Sequence, residues 1–200
     1  MTSGSDAGSS PAPRDELRYA YKPSLASLPF EFHLAPDALQ WRMGGRSDRI
    51  PYGRIRRVRL SYRPLTLQTH RFLAEIWPAE GRRLSIASSS WKTIAEQERL
   101  DGAYVAFITE LHRRMRAAGT TAVLETGSPP LIYWPGLAVL VLASLAMAAL
   151  IVEALRTGQP AGALFIGVFL AAFLWWGGAY FRRNRPGTYR PDALPAEVLP

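Results

Sequence analysis

Two consecutive stretches near the C-terminal end, residues 131–155 and 161–181, leave this chain few ways to fold. From residue 131 to residue 181 only Glu153 and Arg156 carry charge. A membrane-spanning helix needs about 20 mainly apolar residues, and both stretches reach that length. A helix buried in a soluble core would show a polar face somewhere, and neither stretch does. Between them Arg156, Thr157, Gly158, Gln159 and Pro160 form a turn short enough to force an antiparallel pair. The sequence therefore predicts transmembrane helices at 131–155 and 161–181, joined by an outer turn at 156–160. Tyr133 and Trp134 open the first span, and Trp175, Trp176 and Tyr180 lie near the end of the second. In a hairpin those two ends coincide, so the aromatics form one interfacial belt. Pro135 falls in the first turn, where its missing N–H costs little.

Charge orients the hairpin. Arg113, Arg114 and Arg116 precede the first span, and Arg182, Arg183, Arg185 and Arg190 follow the second; the turn offers Arg156 alone. The positive-inside rule then puts both termini in the cytoplasm and the protein in an inner (plasma) membrane. The apolar part starts about 130 residues into the chain, behind a charged region, and reads as an anchor rather than a cleaved leader. Residues 1–130 hold 19 of the 24 Lys and Arg and 13 of the 16 Asp and Glu, so a mean hydropathy of −0.03 describes neither half. Ala163, Gly167 and Ala171 recur every four residues on the second span, and Ser144 and Ala148 do so on the first. Such spacing lets helices approach closely, in a homo-oligomer or against a membrane-protein partner. Ala- and Gly-rich spans also generate it by composition alone. Glu153 and Arg156 are spaced to pair at i,i+3 near the outer interface, as an anchor rather than a proton relay.

The preceding region reads as strands followed by one helix. Residues 1–13 lack apolar bulk and are expected to be disordered, within an N-terminal segment 1–18. Phe30, Phe32 and Leu34 alternate, Pro36-Asp37 turns, and Leu39, Trp41 and Met43 alternate again before Gly44-Gly45. Val58, Leu60 and Tyr62 alternate with Arg57, Arg59, Ser61 and Arg63, giving one buried and one wet face. Phe72, Ala74 and Ile76, then Leu84 and Ile86, complete five or six strands. Short, closely spaced strands argue for an antiparallel sheet curling into a small sandwich or barrel. The period then changes. Thr93 with Glu96 makes a capping-box pattern, and Leu100, Tyr104, Phe107, Ile108, Leu111 and Met115 draw one apolar stripe. Acidic residues in the first turns and His112 with three Arg in the last match the helix dipole. The reading is a helix at about 94–118 that packs on the sheet and is stopped by Gly119.

Residues 30–119 resemble a bacterial pleckstrin-homology-like (PH-like) domain. The likeness is carried by Phe32-His33-Leu34-Ala35-Pro36-Asp37-Ala38-Leu39-Gln40-Trp41, then Arg49-Ile50-Pro51-Tyr52-Gly53-Arg54-Ile55 entering an alternating strand, a hairpin and a C-terminal helix. It implies a curved antiparallel sandwich capped by that helix, an α+β domain over 19–119. It also implies a module that binds lipids, peptides or proteins, with no catalytic residues. Many bacterial relatives carry their anchoring helices before the domain; here the spans follow it.

Chemistry-bearing patterns are scarce. His33, His70 and His112 stand 37 and 42 residues apart, without the spacing of paired metal ligands. The chain has no Cys, so neither a thiolate site nor a disulfide framework is available. Ser88-Ser89-Ser90 precedes a helix and reads as capping rather than as a nucleophile. No metal, cofactor or active site is expected.

What does stand out is positive charge. Arg42, Arg46, Arg49, Arg54, Arg56, Arg57, Arg59 and Arg63 fall within 22 residues against one acid, Asp48, in a chain of net charge +8. Arg outnumbers Lys 22 to 2, so a general compositional bias inflates any such count. A solvated sheet face explains the run most plainly. Anionic lipid and nucleic acid are the partners that would use it. Residues 120–130 read as a flexible linker spanning on the order of 20 Å, which brings the lipid bilayer within reach and disfavours nucleic acid. Arg54, Arg56, Arg57, Arg59 and Arg63 are the candidate lipid- or partner-binding residues. The tail 182–200 has two Leu-Pro pairs and reads as a disordered cytoplasmic end, or as a peptide that docks on its own domain or a partner. Two functions remain open: a membrane-tethered binding or scaffolding module, and an accessory subunit of a transporter or membrane-enzyme complex acting through its hairpin.

Overall fold

Alternating burial builds the first sheet. In the computed structural model, which describes residues 17–64, 70–93 and 97–200, strands β1 (Leu17–Tyr21), β2 (Phe30–Leu34), β3 (Ala38–Met43) and β4 (Arg46–Pro51) form an antiparallel meander in chain order. Tyr19, Tyr21, Phe32, Leu34, Leu39 and Ile50 face inward and are buried. On the other face Arg18, His33, Gln40 and Arg49 stand opposite one another in one cross-strand row. The expected disorder of 1–13, and the Glu96 half of the capping pattern, lie outside the described residues.

A short 3-10 turn, Tyr52–Arg54, leads into a second antiparallel meander of β5 (Ile55–Pro64), β6 (His70–Pro78) and β7 (Leu84–Ala87). Its inner residues Val58, Leu60, Ala74, Ile76, Leu84 and Ile86 are all inaccessible. Two tyrosines join the sheets: Tyr19 Oη donates to the Ala87 carbonyl at 2.5 Å and Tyr21 Oη to that of Ser85 at 2.6 Å. A two-stranded ladder, β8 (Ser89–Trp91) with β9 (Gln97–Arg99), precedes helix α1 (Asp101–Ala117). The α1 stripe Tyr104, Phe107, Ile108, Leu111 and Met115 is buried in the core cluster that both sheets contribute to, with the Phe107 ring 5.5 Å from Tyr19 and 6.4 Å from Phe32 of the first sheet. Burial of such aromatic rings, in tilted and edge-on contacts, dominates the cohesion of a domain this size.

The polypeptide then returns to the second sheet. Strand β10 (Val123–Thr126) lies parallel to β5, and β11 (Gly187–Thr188) pairs antiparallel with β10, giving the order β11-β10-β5-β6-β7. The two apolar helices, α2 (Pro130–Arg156) and α3 (Pro160–Arg183), are inserted between β10 and β11. Both are long and apolar enough to cross a membrane, and only 6% of the most apolar window of each is buried. The helices pack tightest near the sheet. The Tyr133 and Phe181 rings meet edge-on at 5.4 Å, and a Cβ on Gly177 would come within 2.6 Å of Leu140 Cδ1.

Four boundaries differ from the sequence reading. The first described strand begins at Leu17, inside the segment 1–18 expected to be disordered, and its Leu17 and Tyr19 pair with Leu34 and Phe32. The helix starts at Asp101, not near residue 94, because residues 97–99 offer no apolar face and pair instead with β8. Residues 120–130 are not a flexible linker. Leu124 is buried in the core, and β10 takes its hydrogen bonds from β5, so the sheet is mixed rather than wholly antiparallel. The tail 182–200 is ordered against the domain: Tyr189, Leu194 and Leu199 pack on the core and Val198 is 1% exposed.

Sheet and hairpin join through a backbone contact. Gly127 N–H donates to the Leu60 carbonyl at 2.8 Å, Ser128 N–H to the Asn184 carbonyl at 3.0 Å, and Tyr62 N–H to Asn184 Oδ1 at 3.1 Å. Asn184 is fully buried. Gly127 has φ +74°, and a Cβ there would sit 2.4 Å from the carbonyl oxygens of both Asn184 and Arg185. Gly119, with φ +65° just past α1, faces open space. Gly127→Ala is therefore expected to cost about 3 kcal/mol, as backbone strain adds to the collision. Gly119→Ala carries the φ penalty alone, about 1 kcal/mol. Melting temperatures of the two detergent-solubilised variants test this; equal losses would show the junction to be loose.

Candidate functional site

Strand β5 carries Arg56, Arg57, Arg59 and Arg63, and Arg54 ends the 3-10 turn before it; the neighbours of each decide what it can do. Arg57, Arg59, Ser61 and Arg63 point away from the core. Across the parallel ladder Arg59 faces Glu125, and across the antiparallel one it faces Glu75. Arg59 grips Glu125 through Nε at 3.0 Å and Nη2 at 2.5 Å, with only 11% of its side chain exposed. Arg57 approaches the other Glu125 oxygen at 3.7 Å. Arg83 pairs with the buried Glu75 at 2.9 Å. The guanidinium carbons of Arg57, Arg59 and Arg83 lie 5.8, 5.2 and 5.8 Å from the Trp77 ring centre, within cation–π range. Arg54 reaches Glu80 at 3.2 Å. Arg56 and Arg63 are exposed and make no ion pair among the described residues. Three of the five candidate arginines are thus paired, Arg57 and Arg59 with the single Glu125 of β10 and Arg54 with Glu80 of the β6–β7 turn. A structural role explains Arg57 and Arg59 better than a lipid-facing one.

The small residues of the hairpin separate in the same way. Ala163 is buried against α2, and Gly167 is half-buried with open space beyond its α-carbon. Ala171 and Ala148 face outward. Ser144 Oγ returns its proton to the Leu140 carbonyl one turn back, at 2.7 Å. The four-residue spacing does not follow the contact line, because a helix of 3.6 residues per turn carries every fourth residue off one face. Close approach occurs instead at Gly177, which packs on Leu140, and at Gly136, two four-residue steps before Ser144 with Leu140 between them.

Where the hairpin meets the sheet, two cavities open on either side of Pro64 and Tyr180. The larger, about 460 Å³, runs between Tyr62 and the α3 face formed by Leu174, Trp175, Gly178 and Arg182; Arg183 lies over the Tyr62 ring at 4.8 Å. The smaller, about 250 Å³, is enclosed by Ser61, Arg63, Glu75, Ser128, Ile132 and Tyr180. Ser61 is 4% exposed, and its hydroxyl has no hydrogen-bond partner among the described residues. Ser128 Oγ and Tyr180 Oη stand 3.4 Å apart. A third, shallower hollow of about 780 Å³ covers the outer face of the first sheet. It is lined by Arg18, His33, Gln40 and Arg49, with Arg49 paired to Asp37 at 2.6 Å and Arg42 to Glu31 at 3.5 Å.

The tail contributes a buried polar pair. His112 is 1% exposed; its Nδ1–H donates to the Ile108 carbonyl at 2.7 Å, which leaves Nε2 to accept from Tyr189 Oη at 2.7 Å. Burial lowers the His112 pKa and raises that of Tyr189. Arg114 is also buried, tied to Glu110 at 2.6 Å and to the Leu34 carbonyl at 3.0 Å. Hydrogen bonds from Arg113 and Arg114 hold the Glu110 carboxyl down at about 2. The buried titratable groups of α1 therefore serve packing. His33 lies on the outer face of the first sheet, and the His70 side chain lies outside the described residues. Among the described residues no three His, Asp or Glu converge as metal ligands.

The chain matches no protein-family profile, no curated protein and no solved structure at a significant level. Residue geometry is accordingly the whole basis for a function.

Glu125→Gln would leave Arg59 enclosed without its hydrogen-bonded counter-charge. We expect a loss of about 2 kcal/mol in detergent melting, and most of it recovered in the Arg59→Met, Glu125→Met double variant. Full additivity of the two single changes would show that the pair does not act as a unit. The depressed His112 pKa also sets a pH dependence. Below the ordinary histidine value, about 6.5, the unfolded chain takes up a proton that folded His112 refuses. Stability is complete above pH 6.5 and falls as pH drops toward the depressed value. The melting temperature should fall between pH 7.5 and 5.5, and less steeply in His112→Gln; identical slopes would refute the assignment.

Proposed function

We propose that this is a non-enzymatic, bacterial-type inner-membrane protein. In this reading α2 and α3 cross the bilayer as a hairpin, both termini are cytoplasmic, and the β domain is a PH-like binding or scaffolding module held at the cytoplasmic surface. The observation that carries it is the continuous hydrogen-bonded junction of Leu60, Tyr62, Gly127, Ser128 and Asn184. It fixes a domain with a buried core directly to two helices whose apolar side chains are bare, such as Leu131 at 89% and Trp175 at 83% exposure. Hydrocarbon is the solvent that suits such helices. Trp134, Trp175, Trp176 and Tyr180 then fall at the headgroup level beside the domain.

The PH-like part of the reading is supported by the order of elements. Four strands, then three, then a helix that packs into their common core follow the pattern the likeness implies, with the β8–β9 ladder set before the helix and the parallel β10 and the short β11 added beyond it. The outer face of the first sheet, with its row of Arg18, His33, Gln40 and Arg49, is the surface such a module would offer a partner. A second reading, an accessory subunit acting through its hairpin, draws on Ala148 and Ala171. Both face away from the partner helix and leave low-profile surfaces for another membrane helix.

The absence of native Cys makes the topology directly testable. A single Gln159→Cys should react with a membrane-impermeant maleimide in intact cells, and a single Glu80→Cys should react only after permeabilisation. The reverse pattern would overturn the orientation, and release of the chain by alkaline carbonate would overturn the membrane assignment.

A further inference from the structure

We infer that the cavity between the outer face of β5 and the base of the hairpin holds the phosphate of one anionic phospholipid from the leaflet on the domain's side. The inference rests on the membrane reading above and assigns a ligand to a site within it. Its first support is composition. The cavity is walled by Ser61, Arg63 and Glu75 from the sheet, by Ser128 and Ile132 at the start of α2, and by Tyr180 from α3. One end is thus polar, and the Ile132 side, 63% exposed, opens toward the apolar surface of the hairpin where an acyl chain would lie. Charge is the second support. Glu75 is already paired with Arg83, and Arg63 has no ion pair among the described residues. Arg63 also stands directly opposite Arg71 across the β5–β6 ladder. Like charges in that position repel, and an anion between hairpin and sheet relieves them. Arg182 and Arg183 border the adjoining cavity, so the net field at the base of the hairpin is positive.

Hydrogen bonding is the third and independent support. Ser61 lines the cavity, and its buried hydroxyl lacks a partner among the described residues. A buried polar group without a partner costs roughly 1–3 kcal/mol, and a phosphate oxygen would satisfy it. Ser128 Oγ and Tyr180 Oη, 3.4 Å apart, add two further hydroxyls on the opposite wall. Helix α2 begins there with no side-chain cap on its first turn; Pro130 has no N–H and those of Ile132 and Tyr133 bond the Pro129 carbonyl, so its contribution to an anion is the positive dipole end. About 250 Å³ admits a phosphate with part of its glycerol, and the chains remain outside.

The test uses the full chain in mixed micelles holding equal amounts of phosphatidylglycerol and phosphatidylcholine, with bound lipids counted by native mass spectrometry. One phosphatidylglycerol should be retained preferentially. Arg63→Gln should reduce that preference about fivefold, and Ser61→Ala should shift it the same way. Arg46→Gln, which alters an exposed Arg of β4 outside the cavity, should leave it unchanged. Equal loss in Arg46→Gln would mean diffuse attraction and overturn the site, as would unchanged retention in Arg63→Gln. Displacement by excess inorganic phosphate would identify a free-anion site instead of a lipid one. Carbonate extraction of each variant separates these outcomes: a chain that washes out of the membrane refutes the membrane reading itself, and one that stays in but shows no preference refutes only the lipid site.

Discussion

The hydrogen bonds around Asn184 determine how the two halves of this molecule relate. A helix that ends leaves its last carbonyls unpaired, and a strand that begins leaves its edge unpaired. Here both needs are met at one place. Asn184 caps the end of α3, its side chain accepts from Tyr62 and its carbonyl accepts from Ser128. Gly127 allows the crossing because a side chain would collide with the backbone of Asn184 and Arg185. Since β10 enters α2 through Gly127, Ser128 and Pro129, and α3 leaves into β11 through Asn184, Arg185 and Pro186, the sheet continues across the mouth of the hairpin. Any tilt of the helices must move the β10–β11 pair with it.

That geometry changes the meaning of the arginines. A domain on a flexible linker would need a basic face to orient itself on an anionic surface. A domain fixed through its own sheet is oriented already, and its charges are free to serve cohesion. Arg59 illustrates this: 66 residues separate it from Glu125, and the parallel pairing of β10 with β5 brings the two within 2.5 Å. Arg57, Arg59 and Arg83 gather about Trp77 because a ring face favours cations that are partly withdrawn from water. Surface pairs such as Arg54 with Glu80 add little to stability. The Arg59–Glu125 pair, mostly enclosed, adds specificity of register, since a slip of one residue would turn Arg59 into the core.

Much of the architecture was legible in the sequence where the signal is local. Alternation placed Phe32, Leu34, Val58, Leu60, Ala74 and Ile76 on buried faces, and the three- and four-residue steps from Tyr104 to Met115 marked the buried stripe of α1. The two long apolar helices followed from length and lack of charge. What stayed hidden depends on partners distant in sequence. Residues 120–130 carry one short apolar run, Ala122-Val123-Leu124, too brief to separate a strand from a linker until β5 is there to receive it. The tail looked unstructured because its prolines break periodicity. It is held by side chains, Tyr189 on His112 and Val198 in the core, that no periodic pattern records. The start of α1 was misplaced because Thr93 and Glu96 satisfy a capping pattern, while residues 97–99 obtain more from pairing with β8. For the candidate site the arginine positions were visible but their acids were not, and nothing local marked Ser61, a serine on the polar face of a strand.

A rigid mount also constrains what the domain could do in the proposed role. With a flexible tether a binding face explores many orientations, and its effective concentration toward a membrane partner falls as the tether lengthens. With the sheet fused to the hairpin, the row of Arg18, His33, Gln40 and Arg49 is fixed relative to the two apolar helices, and in the membrane reading proposed above it would keep one height and one angle over the bilayer. A partner that matches this geometry loses less orientational entropy on binding, and one that does not is excluded whatever its charge. The cavity beneath β5 lies on the path that transmits this orientation, because Ser61 and Arg63 flank the Tyr62 whose N–H is held by Asn184. A lipid phosphate seated there would brace the contact that sets the angle, so membrane composition and partner recognition would act on the same few residues at the base of the hairpin.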